Sequence, residues 1–287
     1  MSSLVEDFVQ SLQSGAPLPN QYIQSFTTLT QAIGSLENIA PPPNAGAYAG
    51  SGYVTQNLGT LKNALMAWPN SVSPDCRNTP SVILNWDPAL QANIALLQEW
   101  AAQPASPARN QEVANAIQQI LVILGNSKSV IDATVTGLQT LAQAIGTNGN
   151  PVLGIYQHVE TDISNLYRQI ANLVAQRDAA ERKTTVNQGE VNSLNGQIDM
   201  AQTSVGVARS WLQILQQARD EFGAAAPAVQ YLSGIWSGLQ KNLSDATAIA
   251  RLVQQKPESI SSFDVTNLDK TWGQLKGEMQ QIASGLA

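Results

Sequence analysis

The chain has 287 residues, 43% of them hydrophobic, so it can bury a sizeable core, and wholesale disorder is excluded. Only 13% are charged, about half the usual share of a soluble domain. The net charge of −6 argues against nucleic acid, whose phosphates demand lysine and arginine, and against a polybasic grip on anionic lipid.

The first forty residues hold two amphipathic stretches, Ser3–Ser14 and Asn20–Ile39, separated by Gly15-Ala16-Pro17-Leu18-Pro19. In the second, Ile23, Phe26, Ile33 and Leu36 keep helical spacing. Pro41-Pro42-Pro43 cannot continue a helix and opens a Gly/Ala-rich stretch to Gly52. A short helix is predicted from about Val54 to Trp68, then a loop from Pro69 to Pro80 carrying Cys76. The opening MSSLVEDFVQSLQSG has neither a basic start nor a long apolar run, so a classical secretory signal is not expected.

Asp87-Pro88 reads as a helix start, because Asp can accept from orphan N–H groups and Pro loses nothing at the first helical position. That helix runs to about Gln103. Pro104-Ala105-Ser106-Pro107 interrupts it, and Ser106-Pro107 repeats the start signal. Val113, Ile117, Ile120, Leu124, Ile131, Val135, Leu138, Leu141 and Ile145 then carry one apolar stripe to the turn Gly146-Thr147-Asn148-Gly149-Asn150-Pro151. Its most apolar run, Ile120 to Leu124, is far short of the roughly 20 residues a spanning helix needs.

Beyond the turn, Ile163, Leu166, Ile170 and Leu173 alternate steps of three and four. After a charged interval from Arg177 to Lys183, Val191, Leu194, Ile198, Ala201, Val205, Ala208, Leu212 and Leu215 do the same, the mark of helices wrapped on one another. No proline occurs between Pro151 and Pro227. A continuous helix from Ile155 to Phe222 would be roughly 100 Å long. Phe222-Gly223 followed by Pro227 predicts a second reversal. Val229, Leu232, Trp236, Leu239, Leu243, Ala246, Ala250 and Val253 form a third stripe, stopped by Lys256-Pro257. Thr266 or Asn267 is expected to cap a last helix, Leu268–Ala283, with Trp272, Leu275, Met279 and Ile282 on one face.

Strand-like alternation is nearly absent, Ser81–Asn85 being its best instance. The expected fold is all-α: an elongated helical bundle with two long antiparallel coiled-coil-like helices and a small tip, or head, at the mid-chain turn. The chain reads as a single elongated domain, 1–287. Within it, 1–86 holds N-terminal helices and Pro/Gly-rich loops, 87–222 the long hairpin with its tip near 145–156, and 223–287 the C-terminal helices packing on the bundle.

Chemistry has little to work with. His158 is the sole histidine, which excludes a multi-histidine metal site and any triad that needs a second one. Cys76 is the sole cysteine, so no internal disulfide forms, and it is expected to be a free loop thiol. Glu160 and Asp162, two apart on a helix, do not face each other, and Asp220 and Glu221 are adjacent, so no catalytic carboxylate pair is indicated. Gly125-Asn126-Ser127-Lys128 lacks phosphate-loop spacing, and the glycosylation triplet at Asn242 falls inside a helical stripe. No catalytic, cofactor-binding or metal residue is assigned, and an enzyme is not expected. The tip differs: Ile145, Val152, Leu153, Ile155 and Tyr156 crowd a hairpin end that would ordinarily be polar. Two readings stand for them: a staple between helix ends, or a membrane or partner contact, for which Tyr156 supplies an interfacial ring.

Over residues 87–287 the pattern resembles the α-helical pore-forming toxins of the cytolysin A superfamily, with the haemolysin BL and non-haemolytic enterotoxin components. The resemblance rests on the heptad helices flanking the turn, on Leu232-Ser233-Gly234-Ile235-Trp236-Ser237-Gly238-Leu239, and on Trp272-Gly273-Gln274-Leu275 in the last helix. It implies a water-soluble protein that oligomerises on a membrane, with a lipid membrane and companion toxin components as partners. Homo- and hetero-oligomers both fit, and no cofactor is implied. Many members carry a long apolar head segment, whereas this tip is short and mildly apolar, which fits a non-inserting component of a multi-part toxin. Release without a classical signal, then action at a target membrane, is the expected localisation. The competing reading is a cytoplasmic helical scaffold that holds partners by coiled-coil pairing without membrane activity.

Overall fold

The computed structural model describes residues 20–146 and 150–286. The amphipathic stretch Ser3–Ser14 and turn residues Thr147–Gly149 lie outside them. Among the described residues every regular element is helical. In chain order these are α1 (Asn20–Glu37), α2 (Ser51–Leu65), α3 (Ser73–Leu84), α4 (Asp87–Ala101), α5 (Pro107–Ile145), α6 (Pro151–Glu181), α7 (Gln188–Gln255) and α8 (Ser262–Leu286). Short 3-10 turns occupy Ala45–Ala47 and Pro257–Ser259, and a π turn occupies Trp68–Val72.

The chain forms two compact units, each discontinuous in sequence. One takes in the described residues up to Thr27, Ala67–Ala142 and the described residues from Pro227. In this unit α8 packs on α3 and α4. Trp68, Trp236 and Trp272 are almost wholly buried there, and burying each such ring contributes roughly 3 kcal/mol. The Trp236 indole donates to the Tyr22 hydroxyl at 3.1 Å, and Phe26 lies 5.1 Å from Trp68 centroid to centroid.

Three sequence expectations are corrected in this unit. The predicted loop Pro69–Pro80, with Ser81–Asn85 after it, is the π turn, α3 and the turn that follows. Cys76, Thr79 and Ile83 are buried at helical spacing, which tethers α3, and Pro74 sits harmlessly in its first turn. Asp87 begins α4 as expected, but its carboxylate does not cap the helix. It accepts from Trp272 Nε1 at 2.9 Å and pairs with Lys276 at 2.6 Å. The last helix starts at Ser262, because Ser261 and Asp264 form a reciprocal capping pair. Ser106 does cap α5, accepting from the Arg109 amide at 3.2 Å.

The other unit comprises Thr28–Met66 and Gln143–Ala226. Its frame is an antiparallel pair, α6 with the first part of α7. Leu173, Ala180, Val191, Leu194 and Ile198 share one buried cluster, so positions rise along α6 as they fall along α7. The helix predicted from Ile155 to Phe222 is therefore two helices, reversing at Arg182–Asn187. Asn187 caps α7, its Oδ1 accepting from the amides of Gly189 at 3.0 Å and Glu190 at 3.3 Å. The predicted reversal at Phe222-Gly223 is absent: α7 continues through Gly223 and Pro227. A proline inside a helix costs about 3 kcal/mol, but Phe222, Ala225, Val229 and Leu232 keep one buried stripe across it, and that burial outweighs the lost hydrogen bond.

Candidate functional site

The five residues singled out at the mid-chain turn all belong to the second unit. Helix α5 ends at Ile145, and Gly146 adopts a left-handed φ of 82°, which glycine tolerates and most residues do not. Asn150 caps α6, its Oδ1 accepting from the amides of Val152 at 3.0 Å and Leu153 at 3.3 Å, and Pro151 takes the first helical position. The same Asn150 donates through Nδ2 to the Arg219 carbonyl on α7. The Arg219 guanidinium lies over the Tyr156 ring, 4.6 Å from its centroid, and pairs with Asp220 at 2.7 Å.

Ile145, Val152 and Ile155 are buried, while Leu153 and Tyr156 are half-buried. The geometry thus brings the five residues together, faces three inward, and leaves Leu153 and Tyr156 as the apolar surface available without rearrangement. The cap and the cation–π contact fix this arrangement against α7.

The other residues weighed for chemistry lie elsewhere. Cys76 is wholly buried, and desolvation pushes its thiol up to about 12, so it stays a protonated core residue. His158 on α6 stacks on Tyr53 of α2, with centroids 3.9 Å apart, and sits 3.6 Å from Asp162. Asp220 is held by Arg219, and Glu221 accepts from Gln217 at 3.0 Å. Asn242 is engaged with Glu278 at 3.1 Å. Among the described residues, no group of His, Cys, Asp or Glu comes together as a metal site. No described helix is long and apolar enough to cross a membrane.

Two features escaped the sequence reading. One is the exposed turn Arg182–Asn187, signalled by the charged interval that runs into it and by Asn187 preceding Glu190 by three residues. The other is the segment between α1 and α2, a built strap rather than a slack loop. Its Tyr48 is buried and donates to Asp162 on α6 at 2.5 Å, and Ser204 on α7 donates to the Ala47 carbonyl at 2.6 Å. Nothing in a Gly/Ala-rich stretch marks such a partner more than a hundred positions away.

No known family model matches the chain, and no curated protein matches its sequence. Solved structures do match in fold. XaxA from Xenorhabdus nematophila aligns with a TM-score of 0.60 at 9% identity, covering 92% of this chain and 96% of that one. The pre-pore AhlB of the tripartite alpha-pore forming toxin AHL from Aeromonas hydrophila aligns at 0.55 and 14%, covering 93% and 92%. The soluble AhlC of the same toxin aligns at 0.52 and 14%, covering 93% and 97%. At these identities the likeness is one of fold, and it extends over nearly the whole of each chain.

Proposed function

We propose that this protein is one component of a multi-component α-helical pore-forming toxin, within the wider group that includes cytolysin A, haemolysin BL and non-haemolytic enterotoxin. The observation that carries this reading is the fold shared with a soluble and a pre-pore component of one tripartite toxin, over 93% of the chain in each case. A shared fold hosts unrelated functions in general, so the reading draws further support from the site. The tip gathers apolar residues at a helix end and holds most of them inward, as a water-soluble form requires. The absence of a described helix that could span a bilayer favours a component that assembles on a membrane with companion chains over one that supplies the spanning helices. On this reading the protein oligomerises at a target membrane and contacts lipid through Leu153 and Tyr156 first.

Release of a trapped dye from liposomes tests it, using the purified protein alone and with the products of neighbouring genes. Release only in the mixture is the expected result. No release under either condition, with receptor lipids supplied in cell-derived vesicles, overturns the toxin reading in favour of a coiled-coil scaffold.

A further inference from the structure

The strap between α1 and α2 is tied down along its length. Lys62 of α2 donates to the carbonyls of Glu37 at 3.1 Å and Ile39 at 2.8 Å, fixing its start. Asn44 takes a left-handed φ of 59°. Ser51 donates to the Ala45 carbonyl at 2.6 Å and accepts from the Trp211 indole at 3.0 Å. On α7 the strap is held through Ser204 and Trp211, whereas Tyr48 ties it to α6, donating to Asp162. Gly50 supplies the room for that tie: a Cβ there would lie 2.2 Å from the Tyr48 hydroxyl and 2.7 Å from Asp162 Oδ2. Its φ of −70° suits any residue, so space and not backbone freedom demands glycine.

Helix α2 packs on α6, and Tyr53 of α2 stacks on His158, one turn before Asp162. Val54, Leu58, Leu61 and Leu65 form the buried stripe of α2, and Val152, Ile155, Val159 and Ile163 that of α6. We propose that Tyr48 and Asp162 form a clasp that keeps the strap and α2 closed over α6, and that its opening is the conformational step that bares the apolar stripe of α6. Burial and the neighbouring carboxylate both raise the Tyr48 phenol above its ordinary range, so it remains a donor throughout the physiological pH range. The use of the bared stripe to bind lipid rests on the toxin reading above, but the clasp itself does not.

The test compares the full chain with Tyr48→Phe, which removes the hydroxyl, and Gly50→Ala, which wedges the ring from its acceptor. Amide hydrogen exchange and binding to phosphatidylcholine vesicles are both measured. Removing a hydrogen bond to a charged group should quicken exchange across residues 41–65 and 151–163 roughly tenfold or more, leaving α3, α4 and α8 unchanged. Asp162→Asn, which keeps an acceptor oxygen, should give a smaller effect and serves if either variant fails to fold. Unchanged exchange in those segments, or an equal quickening throughout both units, overturns the clasp. Selective quickening supports it whether or not vesicles bind; with it, vesicle binding that does not rise counts against the membrane reading alone.

Discussion

Asn242 on α7 donates through Nδ2 to both carboxyl oxygens of Glu278 on α8, at 3.1 and 3.4 Å. The Glu278 carboxyl is buried, and desolvation raises it from 4.5 to about 7, against a smaller opposing effect of the Asn242 hydrogen bond. An acid whose folded value lies above its unfolded one destabilises the fold when ionised. Below about pH 4.5 both states are protonated and there is no penalty; between 4.5 and 7 stability falls; above 7 the full cost, about 3 kcal/mol, is present. Glu278→Gln keeps the acceptor and cannot ionise. Urea unfolding should find it more stable than the parent by 2 to 3 kcal/mol (roughly) at pH 8 and nearly equal at pH 4.5. Equal stability at both would show that the carboxyl is hydrated in solution.

Arg109 is a buried cation, 3% exposed, whose guanidinium donates to backbone carbonyls and an amide oxygen. Its Nε donates to the Trp100 carbonyl at 2.7 Å, and Nη1 to the Glu258 carbonyl at 3.3 Å and Asn110 Oδ1 at 3.4 Å. One side chain thus joins the last turn of α4 to the 3-10 turn after α7. Arg109→Met keeps the stem and loses the fork, and should cost about 2 kcal/mol in chemical unfolding. Arg109→Lys should recover only part of this, because a single ammonium cannot match the planar geometry. Full recovery by lysine would mean charge, not geometry, holds the turns.

The helices were legible wherever an apolar stripe ran unbroken between strong stop signals: α5 between Ser106-Pro107 and Gly146 is the clearest case. Failures came from reading breakers without their packing. Pro227 sits in a helix because Phe222, Ala225, Val229 and Leu232 are buried on both sides of it, and no local rule reports that burial. The reverse error fell at Arg182–Asn187, a turn that itself holds no glycine or proline and after which the heptads resume in phase, so the pattern read straight through a reversal. At the tip, the clustering of Ile145, Val152, Leu153, Ile155 and Tyr156 was visible in sequence. Which of them face inward was left open between two readings, since the Asn150 and Arg219 contacts that pin this helix end to α7 join residues 69 positions apart.

Asn150 joins two jobs, capping α6 and donating to the Arg219 carbonyl. Asn150→Ala removes both and should lower stability by about 1 to 2 kcal/mol, a cap loss plus one buried hydrogen bond. The loss should be local: exchange should quicken in the first turn of α6 and around Arg219, while Leu173 to Ile198 keep their protection. Uniform loss of protection would mean that the tip and the α6–α7 hairpin unfold as one cooperative unit.

Leu153 and Ile155 separate surface from core at the tip. Leu153 is half-buried and Ile155 is 5% exposed. Leu153→Asp should leave far-ultraviolet helicity and melting within a few degrees of the parent, while weakening association with vesicles. Ile155→Asp places an unpaired carboxylate among apolar side chains and should destabilise by about 3 kcal/mol or more. It should also leave residual binding in proportion to the folded fraction. If Leu153→Asp binds vesicles as well as the parent, the preformed lip of the tip has no part in membrane contact. Any apolar contact would then have to come from the buried stripe of α6.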